Sequence, residues 1–355
     1  MDGTAMPPTG VHFNGSVNLP DAETVMREIA VRVPVGVLRI PDGEPGDRGN
    51  WIMFQMQKFQ RMPTLVPAAV GLAVGDYGQR PQLRLADGVG PGEVEWPDLG
   101  YAEAYLDSWA VFSRLRDDGV IPAGVRFQVE YPTPTAPISF VVADQQETLL
   151  ESYAAALFAD LGRLLAAIPH DQVAVQWDVA VEFAILEGGI PGVGPQSLGA
   201  IVARLARCIE RVPEEVPAGL HLRYGDAGHQ HFKQPESLAL QIRVLNEVTA
   251  AARRPVSFAS FTVPQNERGS AYFGPLRELQ ASPETELYFA LVPYHPADQP
   301  PGTTAEQVRL IDTCLPGASD GAREWGICTE CGMGRAERAE IAALLDLHRE
   351  ILGSR

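Results

Sequence analysis

The stretches VAVQWDV (173–179), QSLGAIVARLARCIER (196–211) and GLHLRYG (219–225) decide the fold. The outer two have strand length and strand-like apolar content, and the middle one reads as a helix, so together they form a strand–helix–strand unit. The same alternation continues on both sides. VRFQVEY (125–131), PVSFASF (255–261), ELYFALV (286–292) and EWGICTE (324–330) are further strands. Helices are predicted over 147–168, after Pro235 (Leu238, Leu240, Ile242, Val244, Leu245), from Thr304 and over 336–352. Thr304 to Gln307 has capping-box spacing. Such alternation calls for a parallel sheet covered on both faces. VHFNGSV (11–17) and VGVLRIP (35–41) bring the strands to eight. The expected architecture is therefore α/β, a single-domain (β/α)8 TIM barrel over residues 10–355 behind a flexible segment 1–9. Residues 73–98 read as an inserted hairpin or lid. No GxGxxG or GxxxxGK[ST] follows any strand, which removes the commonest open-sheet nucleotide binders.

The 355 residues are 45% hydrophobic, enough for one large core. A net charge of −17 argues against nucleic-acid and anionic-membrane partners. There is no uninterrupted apolar run of about 18 residues, the length needed to span a bilayer. The opening MDGTAMPPTG lacks the basic and apolar regions of a secretory signal, and a cytoplasmic location is expected. Four cysteines in so long a chain fit reduced thiols better than a disulfide framework. A homodimer is compatible with all of this.

Barrel enzymes carry their chemistry at the C-terminal ends of strands, and the polar residues here cluster at those positions. Asp178 and Glu182 follow an apolar strand, where a carboxylate binds a substrate ammonium or acts as a base; an ion pair with a neighbouring strand is the plainer alternative. His221 ends a strand, with His229 and His231 close behind; the alternative is a loop whose histidines bond locally. Tyr224 and Asp226 are placed to orient His221. In Asp42-Gly-Glu-Pro-Gly-Asp-Arg48-Gly-Asn-Trp51, turn formers account for the glycines and proline. Arg48 and Trp51 are candidates to clamp a carboxylate and cover an apolar substrate part. Cys328-Thr-Glu-Cys331 is a metal or redox pair, or packed barrel residues. PTPTAP (132–137) is best read as a tight connection. Tyr294 and His295 are expected at the mouth.

Several of these strand ends, in this order, resemble the catalytic barrel of cobalamin-independent methionine synthase and its short relatives over residues 10–355. Asn14-Gly15-Ser16 with Pro20 resembles the family's opening Gly-Ser segment, and the resemblance makes Gly15 and Ser16 substrate contacts. VQWDVAVE (175–182) sits where the family has Ile-Asp-Glu-Pro, making Asp178 the amine-binding carboxylate. HLRYGD (221–226) resembles its His-x-Cys-Tyr strand end, and TECGMGR (329–335) its Asp-Cys-Gly-Leu-Lys segment. The resemblance implies a Zn2+ ion with His221 and Cys331 as ligands. Arg223 stands where the family has a cysteine, and Ala259 where it has a glutamate, leaving His229 and His231 as substitutes. The implied activity is transfer of a methyl or related alkyl or one-carbon group to a thiol or other soft nucleophile, on an amino acid or small carboxylate. The alternative is a metal-free lyase or decarboxylase, as in the related uroporphyrinogen decarboxylase barrel, with Arg223 binding an anionic group or stabilising a thiolate. A non-catalytic ligand-binding barrel is the third reading.

Overall fold

The computed structural model describes residues 6–69, 71–73, 79–188, 196–227 and 229–353. Eight strands pair in parallel: β1 (Gly10–Val11), β2 (Arg39–Pro41), β3 (Arg126–Pro132), β4 (Val173–Val179), β5 (Ala218–Leu222), β6 (Phe258–Phe261), β7 (Glu286–Ala290) and β8 (Gly326–Cys328). Their order is β1-β8-β7-β6-β5-β4-β3-β2. The sheet is strongly curled. His12, just past β1, meets Gln176 of β4 at 2.7 Å, and Arg39 of β2 ion-pairs with Glu286 of β7. Side chains from strands so far apart in the ladder meet only across a concave face. The two ends of the order also approach each other: Val11 bridges to Val37, and its N–H donates to Gly36 O at 2.7 Å.

Eleven α-helices are seen among the described residues: α1 (Ala22–Arg32), α2 (Met53–Phe59), α3 (Tyr101–Asp117), α4 (Thr135–Ile138), α5 (Ala143–Ala167), α6 (Val181–Leu186), α7 (Leu198–Glu210), α8 (Ala239–Ala251), α9 (Ser270–Phe273), α10 (Thr303–Cys314) and α11 (Ile341–Gly353). Asp21 caps α1 by accepting from Thr24 N, and Ser197 caps α7 by accepting from Ala200 N. On β4, Trp177 points outward and meets Phe158 of α5. Its strand neighbours Gln176 and Asp178 therefore point inward, as period-two alternation requires.

The expected strand 173–179 keeps its bounds, 125–131 keeps its length but shifts by one residue to Arg126–Pro132, and the other strands are shorter than expected. Of 11–17 only Val11 lies in a strand, Gly10–Val11, because from His12 onward the chain turns its polar groups into the interior. Helix α5 begins at Ala143 rather than 147, and α1 and α3 were not anticipated. The capping box at Thr304 does not form. Gly302, at φ +79°, precedes α10 without a side-chain cap, and Thr304 Oγ1 donates to Gln299 instead. The insert begins earlier than 73: Leu65–Pro67 pairs antiparallel with Leu83–Leu85, and Leu72–Ala73 with Gln79–Arg80. Residues 74–78 of that insert, and 1–5 of the expected flexible segment, lie outside the described residues. Thr9 is tied down, its N–H donating to Trp325 O at 2.8 Å. No helix among the described residues is long and apolar enough to cross a membrane.

Candidate functional site

Apolar branched residues usually fill a parallel barrel's interior. Here the concave face carries a polar chain. His12 Nε2 lies 2.7 Å from Gln176 Oε1, and Gln176 Nε2 donates to Asp178 Oδ1 at 3.0 Å. His221 Nδ1 is 3.1 Å from the same Asp178 oxygen, and His221 Nε2 is 3.0 Å from Glu330 O. The strand register sets Asp178 directly beside His221 and His221 beside Ser260. Ser260 Oγ donates to Asn14 Oδ1, and Asn14 Nδ2 donates to Thr329 O. Both partners of His221 are acceptors, so only a ring carrying both N–H groups satisfies them together. Burial works against the Asp178 carboxylate, but the His221 hydrogen bond and the charge of Arg223 outweigh it and hold its pKa below the usual value.

Arg223 follows β5 and is 4% exposed. Its Nη1 donates to Cys331 Sγ at 2.7 Å, and its guanidinium lies 4.0 Å from the centre of the Trp51 ring. Burial opposes this cation, yet Cys331 and Asp178 more than compensate and raise its pKa. Burial pushes the Cys331 thiol up to about 11 against the pull of Arg223, so at neutral pH it carries its proton. Tyr294 fixes the Cys331 turn, accepting from Cys331 N at 2.8 Å and donating to Gly332 O at 3.0 Å.

A second group of carboxyls lies beside this pair. Asp42 is fully buried and accepts from Arg48 Nη2 at 2.5 Å, from Ser108 Oγ at 2.7 Å and from Glu44 N at 2.8 Å. Arg48 also stacks 4.5 Å from the Tyr105 ring centre. Glu130 accepts from Gln128 Nε2 at 2.7 Å and Tyr105 Oη at 3.2 Å. Burial first, then the nearby Glu44 and Asp42, drive its pKa well above the carboxylate range. Gly15 is at φ +107°, and a Cβ there would stand 3.2 Å from Glu130 Cγ and 3.6 Å from Glu44 Oε2, so glycine admits both carboxyls. Among the described residues the non-glycine positions with positive φ are Glu44 (+52°), Trp51 (+49°) and His229 (+56°), all in loops at this mouth. Strained backbone of this kind concentrates at functional sites.

The structure thus brings together Asp178, His221, Arg223, Cys331, Trp51 and Gly15. Other expected residues lie elsewhere. Arg48 is committed to Asp42, so it locks the loop rather than offering a free clamp. Ser16 packs under the Gly332–Gly334 turn, where a Cβ on Gly332 would stand 2.5 Å from its Oγ. Glu182 accepts from Thr133 Oγ1 at 2.6 Å, and burial raises its pKa; it faces Arg204 and Cys208 of α7, not His221. Tyr224 and Asp226 do not orient His221. Tyr224 Oη donates to Glu187 at 2.9 Å and its ring stacks on Phe232, while Asp226 pairs with Arg335 at 3.0 Å. His231 pairs with Glu330 Oε2 at 2.9 Å; burial works against its charged form, but this bond outweighs it and raises the pKa. His229 Nε2 is 3.1 Å from Arg335 O. With Gln265, Tyr294 and His295 these two histidines line a cleft of about 390 Å³ beside the centre. Ala259 faces outward, and the inward position on β6 is Ser260.

These residues do not fit a zinc ion. Among the described residues no three His, Cys, Asp or Glu side chains converge as a ligand set. His221 has both ring nitrogens engaged, Cys331 shares its sulfur with Arg223, and protein zinc sites use at least three protein ligands. The reading from sequence missed His12, Glu44, Glu130 and Gln176. Only Glu44 left a signal, in the density of turn formers around it. Comparison of the chain with protein-family models and with curated proteins finds no match.

Proposed function

We propose that the chain is a (β/α)8-barrel enzyme working without a metal on a small carboxylate substrate, as a lyase or decarboxylase. One observation carries the reading: the buried guanidinium of Arg223, stacked on Trp51, occupies the position where the resemblance implies a metal-binding cysteine. In a water-poor mouth a fixed guanidinium binds a carboxylate and stabilises charge that develops on it. The Asp178–His221 pair lies within the same polar network and supplies a group that gives and takes a proton. A lyase needs these two functions: an anion anchor, and a proton for the atom left holding the electron pair of the broken bond. The resemblance to the methionine synthase superfamily supports the barrel and the placement of its site at the strand ends.

A second reading has one observation in its favour. Arg223 already holds a sulfur at 2.7 Å, and the same guanidinium would stabilise a substrate thiolate during alkyl transfer.

Elemental mass spectrometry of protein purified without chelators, paired with calorimetric titration by malonate, tests the proposal. The expected result is no stoichiometric zinc and one malonate bound per chain. One zinc per chain, lost in His221→Ala, would overturn it in favour of zinc-thiolate chemistry.

A further inference from the structure

The carboxyl of Glu44 stands out from its neighbours. Asp42, Glu130 and Asp178 each accept hydrogen bonds from buried donors. Among the described residues none reaches the Glu44 side chain, although only 8% of the residue is exposed. Its conformation is nonetheless imposed. The backbone sits in the left-handed region at φ +52°, and its N–H is held by Asp42 Oδ1 at 2.8 Å. A buried carboxyl carried on a fixed backbone and left without a protein donor is arranged either for a ligand or as a proton carrier.

Its surroundings decide the charge state. Asp42 and Arg48 face it from its own loop, Glu130 from β3, Asp178 from β4 and Arg223 from beyond β5. Tyr101 and Tyr105 face it from α3. Arg48 is neutralised by Asp42, and Arg223 is shared between Asp178 and Cys331. A second anion beside Asp178 in so dry a place is disfavoured. Burial first, and then the Asp178 charge, lift the Glu44 pKa to about 8.

We propose that the mouth binds its carboxylate together with a proton: the protonated side chain of Glu44 donates a hydrogen bond to the anion that Arg223 holds. This rests on the carboxylate reading above. Arg223 supplies charge, and Glu44 supplies a donor without adding a like charge. The same neutral acid stands ready to protonate the atom left holding an electron pair.

Malonate affinity measured calorimetrically from about pH 7 to about pH 9.5 tests this on the full chain. In the unaltered protein, affinity should hold to about pH 8 and then fall about tenfold per pH unit, as loss of one linked proton requires. In Glu44→Gln, whose amide donates at every pH, the profile should be flat. A flat profile in the unaltered protein, or the same fall in Glu44→Gln, overturns the proposal alone. Failure of malonate to bind at every pH overturns the carboxylate reading and this proposal with it. Infrared spectra of the unliganded protein give an independent check. A protonated-carboxyl C=O band at neutral pH should diminish in Glu44→Gln and keep that component in Glu130→Gln; no change in Glu44→Gln overturns the proposal.

Discussion

Replacing Arg223 with glutamine separates its two roles, because they respond on different scales. In the unliganded protein the change removes a desolvated cation–π contact with Trp51, about 2 kcal/mol, and a hydrogen bond to Cys331 of about 1 kcal/mol. It also removes the cation that helps keep Asp178 ionised. Against these losses stands the cost of burying a guanidinium, several kcal/mol, which the variant no longer bears. The net change in folding stability should therefore stay within about 2 kcal/mol. Affinity has no such offset. Removing one partner of a desolvated charge pair across an interface costs about 2–5 kcal/mol, so malonate should bind at least about 30-fold more weakly. Urea denaturation gives the first quantity and calorimetric titration the second, with Arg223→Lys as the control that keeps charge but loses the planar stack. Affinity within about threefold of the unaltered protein, or a stability loss above about 4 kcal/mol, would show that Arg223 is a packing residue and refute the argument.

Three further outcomes are expected. The depressed Asp178 pKa contributes stability above the ordinary value of 3.8 that is lost as pH falls through the lower folded value, so Asp178→Asn should flatten the acid limb of the stability–pH curve. An unchanged acid limb would contradict the assignment of Asp178 as ionised. Gly219→Ala places a Cβ 2.2 Å from the Phe258 ring on the adjacent strand, so unfolding should show a loss of about 1–3 kcal/mol or more. The four cysteines are free and buried, and burial keeps Cys331 a thiol, so iodoacetamide at neutral pH should label none until the chain is unfolded. Rapid labelling of Cys331 alone would mean that Arg223 holds a thiolate.

The strand–helix rhythm was legible because outward-facing residues such as Val173, Val175, Trp177 and Val179 form an apolar series whatever the interior contains. That series gave β4 its bounds. The interior was harder to read. His12, Gln128, Gln176 and Ser260 alternate with apolar residues, a pattern equally expected of a half-solvated strand, and only curvature reveals that all four are buried. Asp178 and His221 were visible as strand-end polar residues, but their partners are set by register between strands, which no local pattern encodes. Tyr224 and Glu182 were misplaced for a similar reason. Each is near His221 or Asp178 in sequence, yet one packs outward against Phe232 and the other against α7. Arg223 could be flagged as a departure, but that its guanidinium spans from Trp51 to Cys331 joins residues far apart in the chain. The unpartnered state of Glu44 has no sequence signature at all.

The amide of Gln176 gives the buried network a direction. An ionised Asp178 can only accept, so the glutamine must offer it nitrogen and turn its oxygen toward His12. His12 must then donate from Nε2, which fixes its neutral tautomer and leaves Nδ1 bare, in keeping with burial lowering its pKa. A glutamine side chain does not hand a proton on as water or a carboxyl group does. The chain from His12 to His221 is therefore a compass needle rather than a wire: it orients Asp178 from below but conducts nothing to it. Any proton exchanged by Asp178 and His221 has to arrive from the solvent side of the mouth, through the loops that carry Trp51 and Glu330.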